Sequence, residues 1–140
     1  MKIKEVMVKN VITVRTNISA YDAVKLMNEN RIGCLVVVHD KEVVGILTER
    51  DLLERVLGSC RDSKETMVSE IMTRQVKVGK PDMQLVEAAR VMFENQIKKL
   101  PIVDGKQLVG LVTLTDIAHV ASVDPKTIEI VEALSNMHVV

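Results

Sequence analysis

Apolar positions along the chain fall into blocks whose period changes. Val11–Val14 is a short β-branched run, which suits a strand. Ala20, Ala23, Val24 and Met27 then recur at intervals of three and four up to Asn30, the period of a helix with one apolar face. Ser19, followed by Asp22, supplies a capping box for its start. Cys34–Val38 is continuously apolar and rich in valine, as expected of a strand covered on both faces. His39–Asp40–Lys41 makes a turn, and Val43–Leu47 supplies the next strand. Thr48 is a natural N-cap, with Asp51 at the third helical position, and opens a helix through Leu57. The unit reads β-α-β-β-α.

That unit occurs twice. Shifting the chain by 65 residues aligns Glu5–Leu52 with Glu70–Ile117 without a gap, and fifteen of the 48 pairs are identical. About three or four would arise by chance from an ordinary composition. Identical pairs include Met7/Met72, Met27/Met92, Gly45/Gly110, Thr48/Thr113 and Asp51/Asp116. Copy two places Pro81–Asp82 before a helix over Met83–Asn95, and Asp104–Gly105 at the turn. With only two copies, a long solenoid is excluded.

The polar stretch Gly58–Val68 is expected to loop over the surface. Asp124–Pro125 marks a helix start with proline at the first helical position. Ile128, Val131 and Leu134 follow on one face, so this helix covers an edge of its own domain or a partner subunit. The expected organisation is α/β: repeat 1 over 3–58, a linker at 59–68, repeat 2 over 69–122, and a C-terminal helix and tail over 123–140.

Composition narrows the function classes. Nineteen basic residues balance nineteen acidic ones, against a chain built for nucleic acid or an anionic membrane. A hydrophobic fraction of 47% argues against disorder. Tyr21 and Phe93 are the only aromatics, so binding by base stacking has little material. The core must be aliphatic, supplied by 24 Val and eight Met. Apolar runs stop at about five residues, where a membrane helix needs about 20. Charged Lys2, Lys4 and Glu5 break any signal-peptide core. Cys34 and Cys60 have no CxxC spacing and are expected to be reduced thiols in a cytoplasmic protein.

The chemistry concentrates in one motif present twice, Gly45-Ile46-Leu47-Thr48-Glu49-Arg50-Asp51 and Gly110-Leu111-Val112-Thr113-Leu114-Thr115-Asp116. A strand runs into a helix start, where unpaired N–H groups favour an anion such as phosphate. The carboxylate one turn on is an acceptor suited to a vicinal diol, as on ribose. Thr-x-x-Asp is equally a plain capping box. Its retention in both copies, while about two thirds of positions diverged, favours a functional role. His39, His119 and His138 are not at metal-ligand spacing. No P-loop is present, and no catalytic residue is expected.

The duplicated unit, Met7/Met72, Leu100-Pro101-Ile102-Val103-Asp104 and the Gly-x-x-Thr-x-x-Asp endings resemble a tandem pair of cystathionine-β-synthase (CBS) domains, a Bateman module, over about residues 3–122. The resemblance implies two pseudo-symmetric repeats with clefts for adenosine ligands, often assembled as a disc-like homodimer. It implies a non-enzymatic regulatory module sensing AMP, ADP or ATP and signalling to a separate effector protein. The alternatives are a sensor of S-adenosylmethionine or a related thioether, and a ligand-free dimerisation module.

By the same resemblance, Asp51 and Asp116 match ribose-binding carboxylates. Thr48 and Thr113 match hydroxyls near the phosphate, with Arg50 and Thr115 beside them. Ile12 and Lys77 flank the adenine; Leu35–Val36 and Leu100–Pro101 lie on the strand whose backbone reads its edge. Copy two has Lys98–Lys99 where copy one has Gly33–Cys34. The lysines favour a phosphate chain, and the Asp116 site is expected to hold phosphate more tightly than the Asp51 site.

Overall fold

The computed structural model describes residues 1–120 and 125–137. It is a mixed α/β protein with two compact units. One comprises Ile12–Val76; the other joins Met1–Val11 to Lys77–Val140. The expected helix-start residue Asp124 and the tail residue His138 lie outside the described residues.

In the Ile12–Val76 unit, β1 (Thr13–Arg15) runs parallel to β2 (Cys34–His39), and β2 pairs antiparallel with β3 (Glu42–Thr48). The hairpin turns at Asp40 and Lys41, both at positive φ. Between β1 and β2, α1 spans Ala20–Asn30; the Ser19 hydroxyl caps it by accepting the Asp22 N–H at 3.0 Å. It ends at Arg31, in the left-handed region. After β3, α2 (Glu49–Leu52) runs on as a π-helical turn over Leu53–Leu57, so the helix expected through Leu57 forms with a widened last turn. A short α3 (Val68–Ile71) closes the unit. The core holds Val14, Ala23, Met27, Leu35, Val37, Leu47, Val68 and Ile71.

The second unit repeats this plan with two differences. β4 (Lys99–Asp104) and β5 (Gln107–Thr113) form an antiparallel hairpin turning at Gly105. The expected leading strand shrinks to a single parallel bridge, Gly79↔Ile102; Pro81, two residues on, has no N–H to continue a ladder. α4 covers Leu85–Glu94, shorter than the expected 83–95, because Gln84 is the extended N-cap residue. α5 (Leu114–Val120) follows β5, and α6 spans Pro125–Ser135 with proline at its first position. Val131 and Leu134 of α6 are buried with Ala89, Met92 and Ile117, so α6 packs on α4 and α5 of its own unit.

The leading segment of each copy is built into the other copy's unit. Ile3, from the start of copy one, is fully buried among Leu85, Leu100 and Ile102. Val68, Ile71 and Met72, at the start of copy two, are buried with Leu35 and Leu47. Two hydrogen bonds of 2.9 Å tie Val8 to Leu111, and two more tie Thr73 to Ile46. The motif glycines have a packing reason: a Cβ on Gly45 would meet the Met72 sulfur at 2.5 Å, and one on Gly110 would meet the Met7 sulfur. The connector expected as surface loop is exposed only in part. Thr66 and Val68 are buried, and the Thr66 and Ser63 carbonyls accept N–H groups from Ala20 and Tyr21 at the start of α1.

Candidate functional site

Each motif is a strand-to-helix junction, and its threonine and aspartate cap the helix reciprocally. The Thr48 hydroxyl accepts the Asp51 N–H at 3.2 Å, while Asp51 Oδ2 accepts the Thr48 N–H at 2.9 Å. Thr113 and Asp116 repeat both distances. The neighbouring strand is in register: Cys34 stands opposite Thr48 and Lys99 opposite Thr113. The Gly33 and Lys98 carbonyls accept the Glu49 and Leu114 N–H groups at 3.1 and 2.9 Å. All seven copy-one positions, Ile12, Cys34, Leu35, Val36, Thr48, Arg50 and Asp51, fall in the Ile12–Val76 unit. Lys77, Lys98, Lys99, Leu100, Pro101, Thr113, Thr115 and Asp116 fall together in the other.

The second carboxylate oxygen distinguishes the two sites. Asp51 Oδ1 accepts the Thr73 hydroxyl at 3.1 Å and pairs with the Arg55 guanidinium at 3.4 Å. Its side chain is 8% exposed, so both oxygens serve the fold. Arg55 also donates to the Ile71 and Met72 carbonyls, fastening the π-helical turn to the segment that carries Thr73. The positions equivalent to Thr73 and Arg55 in the other unit are Val8 and Val120, which offer no side-chain donor. Among the described residues, Asp116 takes side-chain or backbone donors only at Oδ2, and it is half-buried.

Charge differs in the same direction. The Glu49 carboxylate lies against Gly33, in the space a Cβ there would need. In copy two, leucine replaces that glutamate and Lys98 replaces the glycine. Lys98 and Lys99 are both half-buried, whereas Arg50 is bound to Glu54 at 2.6 Å on the surface. One junction therefore has an acid in place and its arginine paired; the other has two lysines and an acceptor oxygen. Cys34, Leu35, Val36, Leu100 and Pro101 are buried; Ile12 is half-buried, and Lys77 and Thr115 are exposed. Sequence reasoning missed Thr73, Arg55 and Glu49. Their mismatched partners Val8, Val120 and Leu114 were the available signal.

The CBS domain family matches residues 3–58 and 68–123. The chain belongs to the CBS-domain family. It is 39% identical over 116 residues to the CBS domain-containing protein YhcV of Bacillus subtilis, covering 83% of this chain and 82% of that protein. A conserved CBS domain protein of unknown function from Thermoplasma acidophilum superposes with a TM-score of 0.83 at 30% identity, over 99% of this chain and 79% of that one. A hexameric CBS-CP12 protein from bloom-forming cyanobacteria superposes at 0.76 and 33% identity, over 84% and 66%. CBS pairs are in general regulatory, ligand-sensing modules. No group of three or more potential metal ligands occurs among the described residues, and no described helix is long and apolar enough to cross a membrane.

Proposed function

We propose that this CBS pair is a regulatory module that binds an adenine nucleotide (AMP, ADP or ATP) at the Asp116 site and signals to a separate effector protein by conformational change. The observation that carries the reading is the second oxygen of Asp116. The cap fixes the carboxylate in place, yet leaves an acceptor for a ribose diol. Lys99 at the start of the adjoining strand and Lys98 just before it supply charge for a phosphate. Asp51 offers no such acceptor, since Thr73 and Arg55 occupy it. Because the chain carries two CBS domains, its output is a shift in the population of conformations, read by a partner.

Calorimetric titration of wild type, Asp51→Ala and Asp116→Ala with AMP, ATP and S-adenosylmethionine tests this. Wild type and Asp51→Ala should bind nucleotide, and Asp116→Ala should not. In a melting experiment, ligand at 100 times its dissociation constant should stabilise the wild type by about 2.7 kcal/mol. Equal loss in both variants would overturn the assignment. Heat with S-adenosylmethionine alone would select the thioether reading, and silence with all three would leave a module that works by association.

A further inference from the structure

A hollow of about 620 Å³ opens in the Ile12–Val76 unit, at the end of its strands away from the Thr48–Asp51 junction. β2 runs from Cys34, opposite Thr48, to His39 at the turn, so roughly 16 Å of strand separates the two places. One wall is Arg15, Thr16 and Asn17, where β1 ends. The other is Val38–Lys41, at the tip of the β2–β3 hairpin.

The polar groups of these walls are left without partners. Among the described residues, the side chains of Arg15, Asn17 and Lys41 make no ion pair or hydrogen bond. Asp40 is the one carboxylate on the walls, and its Oδ2 lies 3.4 Å from His39 Nε2. Copy two satisfies the matching place from within. Asp82, at the position of Asn17, is held by Lys4 at 3.1 Å and by Lys2 at 3.7 Å. Ser69 and Met67 stand at the positions of those lysines in copy one. Copy two therefore brings its own carboxylate to its own cations. Copy one keeps Arg15 and Lys41 and puts an amide where that carboxylate would be.

The turn carries its lysine against the preference of the backbone. Asp40 and Lys41 both lie in the left-handed region, at φ 50° and 67°. That is the pattern of a type I′ hairpin, whose second turn residue is commonly glycine. In copy two, Gly105 takes the positive φ of 63° and Lys106 does not. A left-handed lysine is strained where glycine would be relaxed. Here the strained residue sets an ammonium on the wall opposite the Arg15 guanidinium.

We infer that this hollow binds a small organic anion through its carboxylate or phosphate oxygens. The Arg15 guanidinium offers a planar fork of N–H donors to two oxygens at once. Lys41 adds a point charge from the opposite wall, and the Asn17 amide and Thr16 hydroxyl add neutral donors. The volume is in the range of small-molecule sites, more than a bare phosphate ion fills. The hollow shares no residue with either Thr–Asp junction, so the inference stands apart from the nucleotide reading.

The full chain, isotope-labelled at nitrogen, is titrated with sodium phosphate and separately with sodium citrate at fixed ionic strength, and followed by NMR. Saturable shifts should appear at the Arg15 side-chain N–H and at the amides of Asn17 and Lys41. Saturation by either probe supports the site, and the tighter probe identifies the oxyanion. Arg15→Gln should raise the dissociation constant about tenfold or more, as loss of a charge-assisted bond implies. Lys80→Gln, at the repeat counterpart of Arg15, should leave it unchanged. Lys41→Gly should weaken binding and yet raise the urea midpoint, because glycine relieves the left-handed strain. Shifts that grow linearly without saturating, shifts confined to Lys98, Lys99 and Asp116, or an Arg15→Gln titration that overlays wild type overturns the inference.

Discussion

Replacing Asp51 and Asp116 separately by alanine should cost very different amounts of stability, although the sequence presents them as the same residue in two copies. Asp116 contributes a helix cap at a half-exposed site, worth about 1 kcal/mol. Asp51 contributes the same cap, a charge-assisted bond from the Thr73 hydroxyl and a partly exposed pair with Arg55. The hydroxyl bond adds about 1.5 kcal/mol, and the ion pair at most about 1 kcal/mol because Arg55 is 45% exposed. Asp51→Ala should therefore lose about 3 kcal/mol. For a chain of 140 residues, unfolding entropy makes that a fall of roughly 10 °C, against roughly 3 °C for Asp116→Ala. Thermal unfolding followed by circular dichroism measures both falls. Thr73→Val sharpens the test, since valine is the residue at the counterpart position Val8. A double-mutant cycle of Asp51→Ala with Thr73→Val should show a coupling of about 1 kcal/mol or more. Equal losses for the two aspartates, or a coupling near zero, would refute the reasoning.

Three further outcomes follow from local geometry. Gly45→Ala and Gly110→Ala should each destabilise by about 1–3 kcal/mol in thermal unfolding, since each new methyl meets a methionine sulfur and a backbone carbonyl. Gln84 is the N-cap of α4 but makes no capping bond, whereas Ser19 caps α1; Gln84→Ser should stabilise by about 0.5–1 kcal/mol in urea. Glu70 accepts the Met67 N–H and pairs with Arg61, and these hold its carboxyl below the usual 4.5. A depressed folded pKa adds stability that is present above the unfolded value and lost as pH falls through the folded one. The stability gap between wild type and Glu70→Gln should accordingly be widest near neutrality and close below about pH 4.5; a gap that widens in acid would refute it.

Much of the local structure was legible because local chemistry dictates it. Ser19 with Asp22, and Thr48 with Asp51, are capping pairs whose hydrogen bonds lie within three residues of chain. Cys34–Val38 and Val43–Leu47 are apolar runs separated by a turn, and they pair as a hairpin. Asn30 and Asn95, identical in the two copies, make the same 2.8 Å bond to the carbonyl four residues back. The motif's two aspartates were equally visible. Their different states were not, because Thr73 reaches Asp51 across 22 residues and Arg55 acts jointly with it.

Sequence alone determined the duplication, the helices and the hairpin of each copy, the family resemblance and the Thr–Asp capping pair at each junction. These rest on periodicity, caps and spacing, which act over a few residues or repeat in register. Tertiary structure decided which leading segment serves which unit. Ile3–Met7 and Val68–Met72 are both short segments of mixed apolar and polar residues ending in methionine, and either offers a thioether to a motif glycine; only the path of the chain assigns Met7 to Gly110 and Met72 to Gly45. It also decided that α6 fills the angle beside α4 and α5 while the matching angle beside α1 stays open. An amphipathic stripe states that a face will be covered, and packing alone states by what.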